Sequence, residues 1–281
     1  MAKDRYLIDE TAMGAFYVLF AIFGTIFNCA VIATVLSSSN LRSKGMFIII
    51  VCISFAGLLQ SIFVNSVFAH INLVPPSTQD WCPTLGALVT TDVCLAVTMY
   101  CLILLFVNHL IHQRSPNESR ERNMGIIGSI SLSVLFVILV PVMKTQPWSW
   151  PGCYWLLFMS NYNIRIGLTV VEFLLPAFLL CVGRIIPIFI FGQRSSVVPT
   201  PIVVAALMTV VTNMPGRILE ILHVNCSYSE SCDWSLWLPR VLQMIYLGNV
   251  VVIPLSWLLD NEFRQSLLTI LGLRPTPELL L

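Results

Sequence analysis

Asp92 interrupts an otherwise apolar run, GALVTTDVCLAVTMYCLILLF. It stands ten residues beyond Cys82, a rise of about 15 Å if the run is helical. An unpaired carboxylate in hydrocarbon is costly, so intramembrane acids face a partner or a water-filled cavity. A second polar group, Glu172, Arg217, Glu220, His223, Arg240 and Gln243, punctuates three other apolar stretches. Arg217 and Glu220 are three apart and can pair along one helix face. Carboxylates and guanidinium groups together suit two chemistries. One is a cavity bearing both signs of charge that recognises a peptide or a small zwitterion. The other is a self-satisfied salt-bridge network that fastens helices together. Catalysis is not indicated: there are no carboxylates paired at acid–base spacing, no Gly-rich phosphate cradle and no Cys/His metal cluster. The chain therefore reads as a non-enzyme, with no cofactor and no metal site, and His223 has no second ligand at metal spacing.

Those side chains must be positioned by the long apolar stretches that make up most of the chain. Seven are expected to be membrane spans, at 13–37, 46–70, 84–111, 124–143, 163–191, 200–224 and 236–259. Each approaches or exceeds the roughly 20 residues a bilayer core requires. Hydrocarbon offers no partners to backbone N–H and C=O groups, so each span must be a helix. The fold class is all-α, a seven-transmembrane-helix bundle in one domain over residues 1–281. Residues 1–12 form a polar N-terminus that does not read as a signal peptide. DNEFRQSLLTILG gives an amphipathic helix at 261–271, lying along the inner leaflet, and 272–281 is a short tail. Of the 281 residues 57% are hydrophobic and 10% charged, against about 25% charged in ordinary soluble domains. The net charge of +1 gives no reason to expect nucleic-acid binding. Membrane lipid is the partner this composition implies.

Lys and Arg in the short loops favour an outer N-terminus, with Arg42, Lys44, Arg114, Arg120, Arg122, Arg194, Arg264 and Arg274 inside. Seven spans then put the C-terminus inside. Cys29, Cys52, Cys94, Cys101 and Cys181 lie within apolar spans and read as packing residues. The other four, Cys82, Cys153, Cys226 and Cys232, fall outside, where disulfides persist. The expected pairs are Cys82 with Cys153 and Cys226 with Cys232, though four cysteines allow three pairings. Of the glycosylation sequons at Asn117 and Asn225, only Asn225 lies on the outer side.

Several motifs occur in a telling order. Gly24 and Asn28 stand in GTIFN of the first span, and Cys82 heads the third. Pro176 lies in EFLLPAF, Pro215 in TNMPG, and Pro254 in GNVVVIPLSWLLDNEFRQSLL. As an ordered set these resemble a rhodopsin-like G-protein-coupled receptor over essentially the whole chain, with GTIFN standing for GxxxN and PLSW for the end of NPxxY. Phe263 and Arg264 keep that family's spacing in the helix that follows. There are departures. The Asp-Arg-Tyr triplet falls near Val107, Asn108 and His109, with no arginine. The second-span acid becomes Gly57, the NPxxY asparagine Ile253 and its tyrosine Trp257. The sixth-span tryptophan becomes Asn213, and the fifth-span tyrosine Arg184.

The resemblance implies a cell-surface receptor that binds an extracellular ligand and couples to a heterotrimeric G protein, weakly or atypically without the arginine. It places the ligand among Glu172, Arg217, Glu220 and Gln243, with Glu172 facing Arg217. It also sets Asp92 beside a polar cavity with Asn28 and Asn249, where Gly57 leaves room for water or an ion. Pro176, Pro215 and Pro254 become hinges or fixed kinks. Asn108, His109 and Arg114 fall on the coupling surface. A small solute transporter or channel is the second class. A non-signalling decoy, or a scaffold that forms receptor heteromers, is the third.

Overall fold

The computed structural model describes residues 10–74, 81–114, 118–144, 162–182, 198–226 and 237–273, and among these every regular element is helical. The first helix, α1, spans Glu10–Ser37, followed by the short α2, Ser39–Ser43. Next come α3, Gly45–Leu73, α4, Trp81–Arg114, and α5, Glu118–Lys144. Then follow α6 at 162–182, α7, Thr200–Cys226, and α8, Trp237–Leu247. The last are α9, Asn249–Ser256, and α10, Asn261–Ile270. Six stretches are long and apolar enough to cross a bilayer: α1, α3, α4, α5, α7, and Val241–Leu259 through α8 and α9. These are the features of an integral membrane protein. The expected fifth span, 163–191, is described only to residue 182, and its apolar part, Ile166–Val182, is shorter than the other six.

The side-chain distribution is that of a chain whose solvent is lipid. Phe16, Leu19, Ile22, Phe23 and Ile26 of α1, and Ile127, Ile130, Val134 and Val137 of α5, are exposed. Asn28, Gln60, Asn65, Asp92, Glu172, Asn213 and Asn249 are buried. In water this arrangement would expose large apolar patches. In hydrocarbon it lets polar groups find partners in the interior. The central element is α4, where Ala96, Met99, Cys101, Leu102 and Leu105 have no exposure. It packs against α3, α5, α6 and α7.

Small residues set the closest approaches. A Cβ on Gly45 would lie 2.2 Å from the backbone oxygen of Glu121, and one on Gly125 would lie 2.7 Å from that of Gly45. The start of α3 and the first turns of α5 therefore meet backbone to backbone, which only small residues permit. At the other end of the chain, Asp260 caps α10 by accepting from the Phe263 N–H at 2.9 Å, and Phe263 is buried.

The prolines leave marks that the bundle repairs. Pro254 has no N–H, so the Val250 carbonyl loses its helical donor. The Asn28 side-chain amide of α1 donates to that oxygen at 2.9 Å. In α6 the backbone widens to π-helical bonding over Val170–Leu174, with the Leu175 N–H reaching back to Val170 O. The next donor would be residue 176, a proline, and the Tyr100 hydroxyl of α4 donates instead to the Val171 carbonyl at 3.0 Å. A second π-helical segment, Gln60–Val64, interrupts α3.

Candidate functional site

Four polar side chains come to one level of the bundle. Asp92 lies eleven residues into α4, Glu172 ten into α6, Tyr246 nine into α8, and Arg217 nine before the end of α7. At 1.5 Å per residue each is about 14–17 Å from the same end of the bundle. Within the apolar segments themselves the layer lies near that end: Arg217 stands two residues before Leu219, Tyr246 five after Val241, and Asp92 and Glu172 six after Gly86 and Ile166.

The centre of this layer is an ion pair. Arg217 Nη2 donates to Asp92 Oδ1 at 2.5 Å, with the two side chains 11% and 9% exposed. Beside it the Tyr246 hydroxyl donates to the Thr91 carbonyl at 3.0 Å, tying α8 to the residue before Asp92. The phenol also lies within electrostatic reach of Arg217 and Glu172 and beside Gln60. Glu172 is 1% exposed and sits in the π-helical part of α6, which packs on α4. Gln60 opens the π-helical part of α3, which packs on α4 from another side. π-Bulges re-aim side chains without ending a helix and are frequent at functional sites. Here each carries a polar residue of the layer.

Two carboxylates and one guanidinium in a half-lipid environment make a strongly polar, mostly dehydrated patch. Gln60 Nε2 faces the Tyr246 phenol without an ideal hydrogen bond, and both side-chain polar atoms of Asn65, five residues on in α3, are buried with no hydrogen-bond partner among the described residues. Such groups are costly to leave unsatisfied in an apolar interior.

Several expected site residues are placed differently. Asn28, Asp92 and Asn249, expected as one polar cluster, bond to different partners. Asn28 donates to the Gly24 carbonyl at 2.7 Å and to Val250, and Asn249 Nδ2 donates to Thr212 Oγ1 at 2.5 Å. The reason is reach: the long Arg217 side chain crosses from α7 to Asp92, while the two amides serve helix backbones and a threonine. The space over Gly57 is not open, because Asn28 Oδ1 lies 2.6 Å from where a Gly57 Cβ would be. Gln243 on α8 makes no hydrogen bond among the described residues. Cys153 and Cys232 lie outside the described residues, and only the helical backbone is described at Cys82, Arg114, Glu220, Asn225 and Cys226. Of the hinge prolines, Pro176 and Pro254 are buried and Pro215 is exposed.

Asn108 was expected on a coupling surface but is 3% exposed, because α4 continues to Arg114 and leaves it inside the bundle. His109 is half-buried. One contact at this end is His112 Nδ1 with Glu121 Oε1 at 2.8 Å, between α4 and α5. Cys52 and Cys101 do more than pack: their sulfurs are 3.7 Å apart, and Cys52 Sγ is 3.2 Å from Ser133 Oγ. Among the described residues no three His, Cys, Asp or Glu side chains gather as a metal site.

Tyr246, Gln60 and Asn65 were missed in the sequence. The two amides carried the signal that singled out Asp92, a polar side chain within an apolar span. Tyr246 carried none, since a tyrosine in such a span is ordinary. Comparison with protein-family models and with curated proteins gives no match to this chain.

Proposed function

We propose that the chain is a plasma-membrane receptor that binds an extracellular peptide or small zwitterion at the layer of Asp92, Glu172 and Arg217. In this reading α6 is the fifth of seven spans, the N-terminus is outside and α10 is an amphipathic eighth helix on the inner leaflet. The observation that carries it is the Asp92–Arg217 pair, which ties α4 to α7 inside the bundle, toward one edge of its apolar zone. A ligand ammonium competes with Arg217 for the carboxylates, and a ligand carboxylate competes with Asp92 for Arg217. A ligand that satisfies both partners separately favours the state in which α4 and α7 are uncoupled, and it shifts the population by that difference in affinity. Pro215 and Pro254 give α7 and α9 the kinks about which their inner ends move.

The ordered motifs resembling rhodopsin-like receptors make a heterotrimeric G protein the expected partner. Asn108 stands where that family has its arginine and is buried, so coupling is atypical, and heteromers with other receptors are a further role. The test is nucleotide exchange on added heterotrimeric G proteins by membranes containing the chain. Exchange above that of empty membranes, altered by Arg217→Met, supports the reading. No exchange by either form overturns it.

One observation favours a second reading, a small-solute carrier. The helix breaks at Gly248 between α8 and α9, close to the charged layer, and two π-helical segments flank that layer. Carriers build their binding sites from interrupted helices. Uptake of a zwitterionic solute by proteoliposomes, without G-protein exchange, would select it.

A further inference from the structure

A crevice of about 480 Å³ opens where α2, the start of α3 and the start of α5 meet. It is lined by Arg42, Ser39 and Ser43, by Arg122 and Asn123, and by Ile48 and Ile126. The two arginines come from different elements, brought to one rim by the backbone contact of Gly45 with Glu121 and Gly125. Among the described residues neither guanidinium forms an ion pair and no carboxylate lines the crevice. The nearest acid in sequence, Glu121, directs its carboxylate to His112. The rim is thus cationic and rich in hydrogen-bond donors.

The floor is different in kind. Ile126 is followed one helical turn on by Ile130 and then by Val134, both more than half exposed. On the other wall Ile48 is followed along the same face of α3 by Phe55 and Leu59, both about half exposed. Two apolar stripes therefore descend from a cationic rim along the lipid-facing side of the bundle. A free anion would use only the rim. A molecule with an anionic head and two hydrocarbon chains would use rim and stripes together.

We infer that this crevice is a binding site for an anionic glycerophospholipid, with its phosphodiester on Arg42 and Arg122 and its acyl chains along the stripes below Ile48 and Ile126. Guanidinium groups suit phosphate because their N–H donors match its oxygens, and basic pockets between membrane helices bind anionic headgroups. The site is separate from the Asp92–Arg217 layer. It rests on the membrane-spanning reading, and on the proposed orientation only for which leaflet supplies the lipid. Loss of the receptor reading would leave the site in place.

The test uses the full chain purified in uncharged detergent, titrated with fluorescent phosphatidylglycerol. Phosphatidylcholine and soluble glycerophosphate serve as competitors. Arg42→Gln and Arg122→Gln are each expected to weaken phosphatidylglycerol binding roughly tenfold, and the pair more. Arg42→Lys should recover part of the loss. Arg264→Gln removes a half-buried charge on α10, outside the crevice, and should leave binding unchanged. Phosphatidylcholine should compete poorly and glycerophosphate not at all. Equal binding by the Arg42→Gln/Arg122→Gln form and the parent would overturn the site. An equal loss in Arg264→Gln would reduce it to general surface charge, and full competition by glycerophosphate would make it a site for free anions.

Discussion

Asn28 of α1 gives its side-chain amide to the carbonyl of Val250, the backbone oxygen that Pro254 leaves without a helical donor. One amide thereby links the first helix to the last kink of the bundle. It also occupies the space beside Gly57. The kink at Pro254 is thus held from outside its own helix, and a change in α1 is felt in α9.

Asn28→Ala is expected to lower stability by about 1–3 kcal/mol, the cost of an unsatisfied buried carbonyl plus a lost packing contact. Pro254→Ala supplies an N–H at that position, so Asn28→Ala should cost less in that background. Thermal unfolding in micelles measures both. Equal cost in the two backgrounds would mean that the Asn28–Val250 bond does not compensate for the proline.

Breaking the Asp92–Arg217 pair by Asp92→Leu or Arg217→Met alone leaves a charge in an apolar interior and should cost about 3–5 kcal/mol. Removing both charges together should recover much of that loss. The same unfolding measurement decides it, and a double variant as unstable as the sum of the single ones would argue against a direct pair.

Gly45→Ala places a methyl 2.2 Å from the Glu121 backbone oxygen, which cannot move aside as a side chain would. The expected loss is about 1–3 kcal/mol from overpacking. Gly167→Ala in α6 meets nothing within 4 Å and should gain up to about 1 kcal/mol of helix propensity. Opposite signs at the two glycines, read by melting temperature, are the result to look for.

Tyr100→Phe removes the donor to the Val171 carbonyl beside Pro176 and should destabilise by about 1 kcal/mol. Hydrogen exchange should rise first in the π-helical part of α6. Unchanged exchange there would show that the tyrosine is not what holds that segment.

Much of the fold was legible because lipid reads length and apolarity directly. The spans expected to begin at Met13, Met46 and Thr84 appear as helices beginning at Glu10, Gly45 and Trp81. The polar residues worth attention were legible for the same reason, as with Asp92 and Arg217. Who pairs with whom was not. Arg217 was expected to meet Glu172 or its own neighbour Glu220, and its contact with Asp92 was not foreseen, because the rotation of α7 against α4 is set by packing and not by spacing along either chain. The π-helical segments were hidden too. A one-residue widening leaves no compositional trace, yet it sets the register of Gln60 and Glu172. Gly57 looked like a vacancy because sequence shows the missing side chain and not the Asn28 amide that fills its place.

The reading of the chain as a receptor depends most on whether the segment beginning at residue 162 crosses the membrane, giving seven spans where six are otherwise plain. Epitope tags on the two ends, stained in intact and in permeabilised cells, decide this directly. An N-terminal tag stained without permeabilisation and a C-terminal tag stained only after it is the expected result. Both tags on the same side of the membrane would contradict it, and the receptor assignment would fall with the outer placement of the N-terminus.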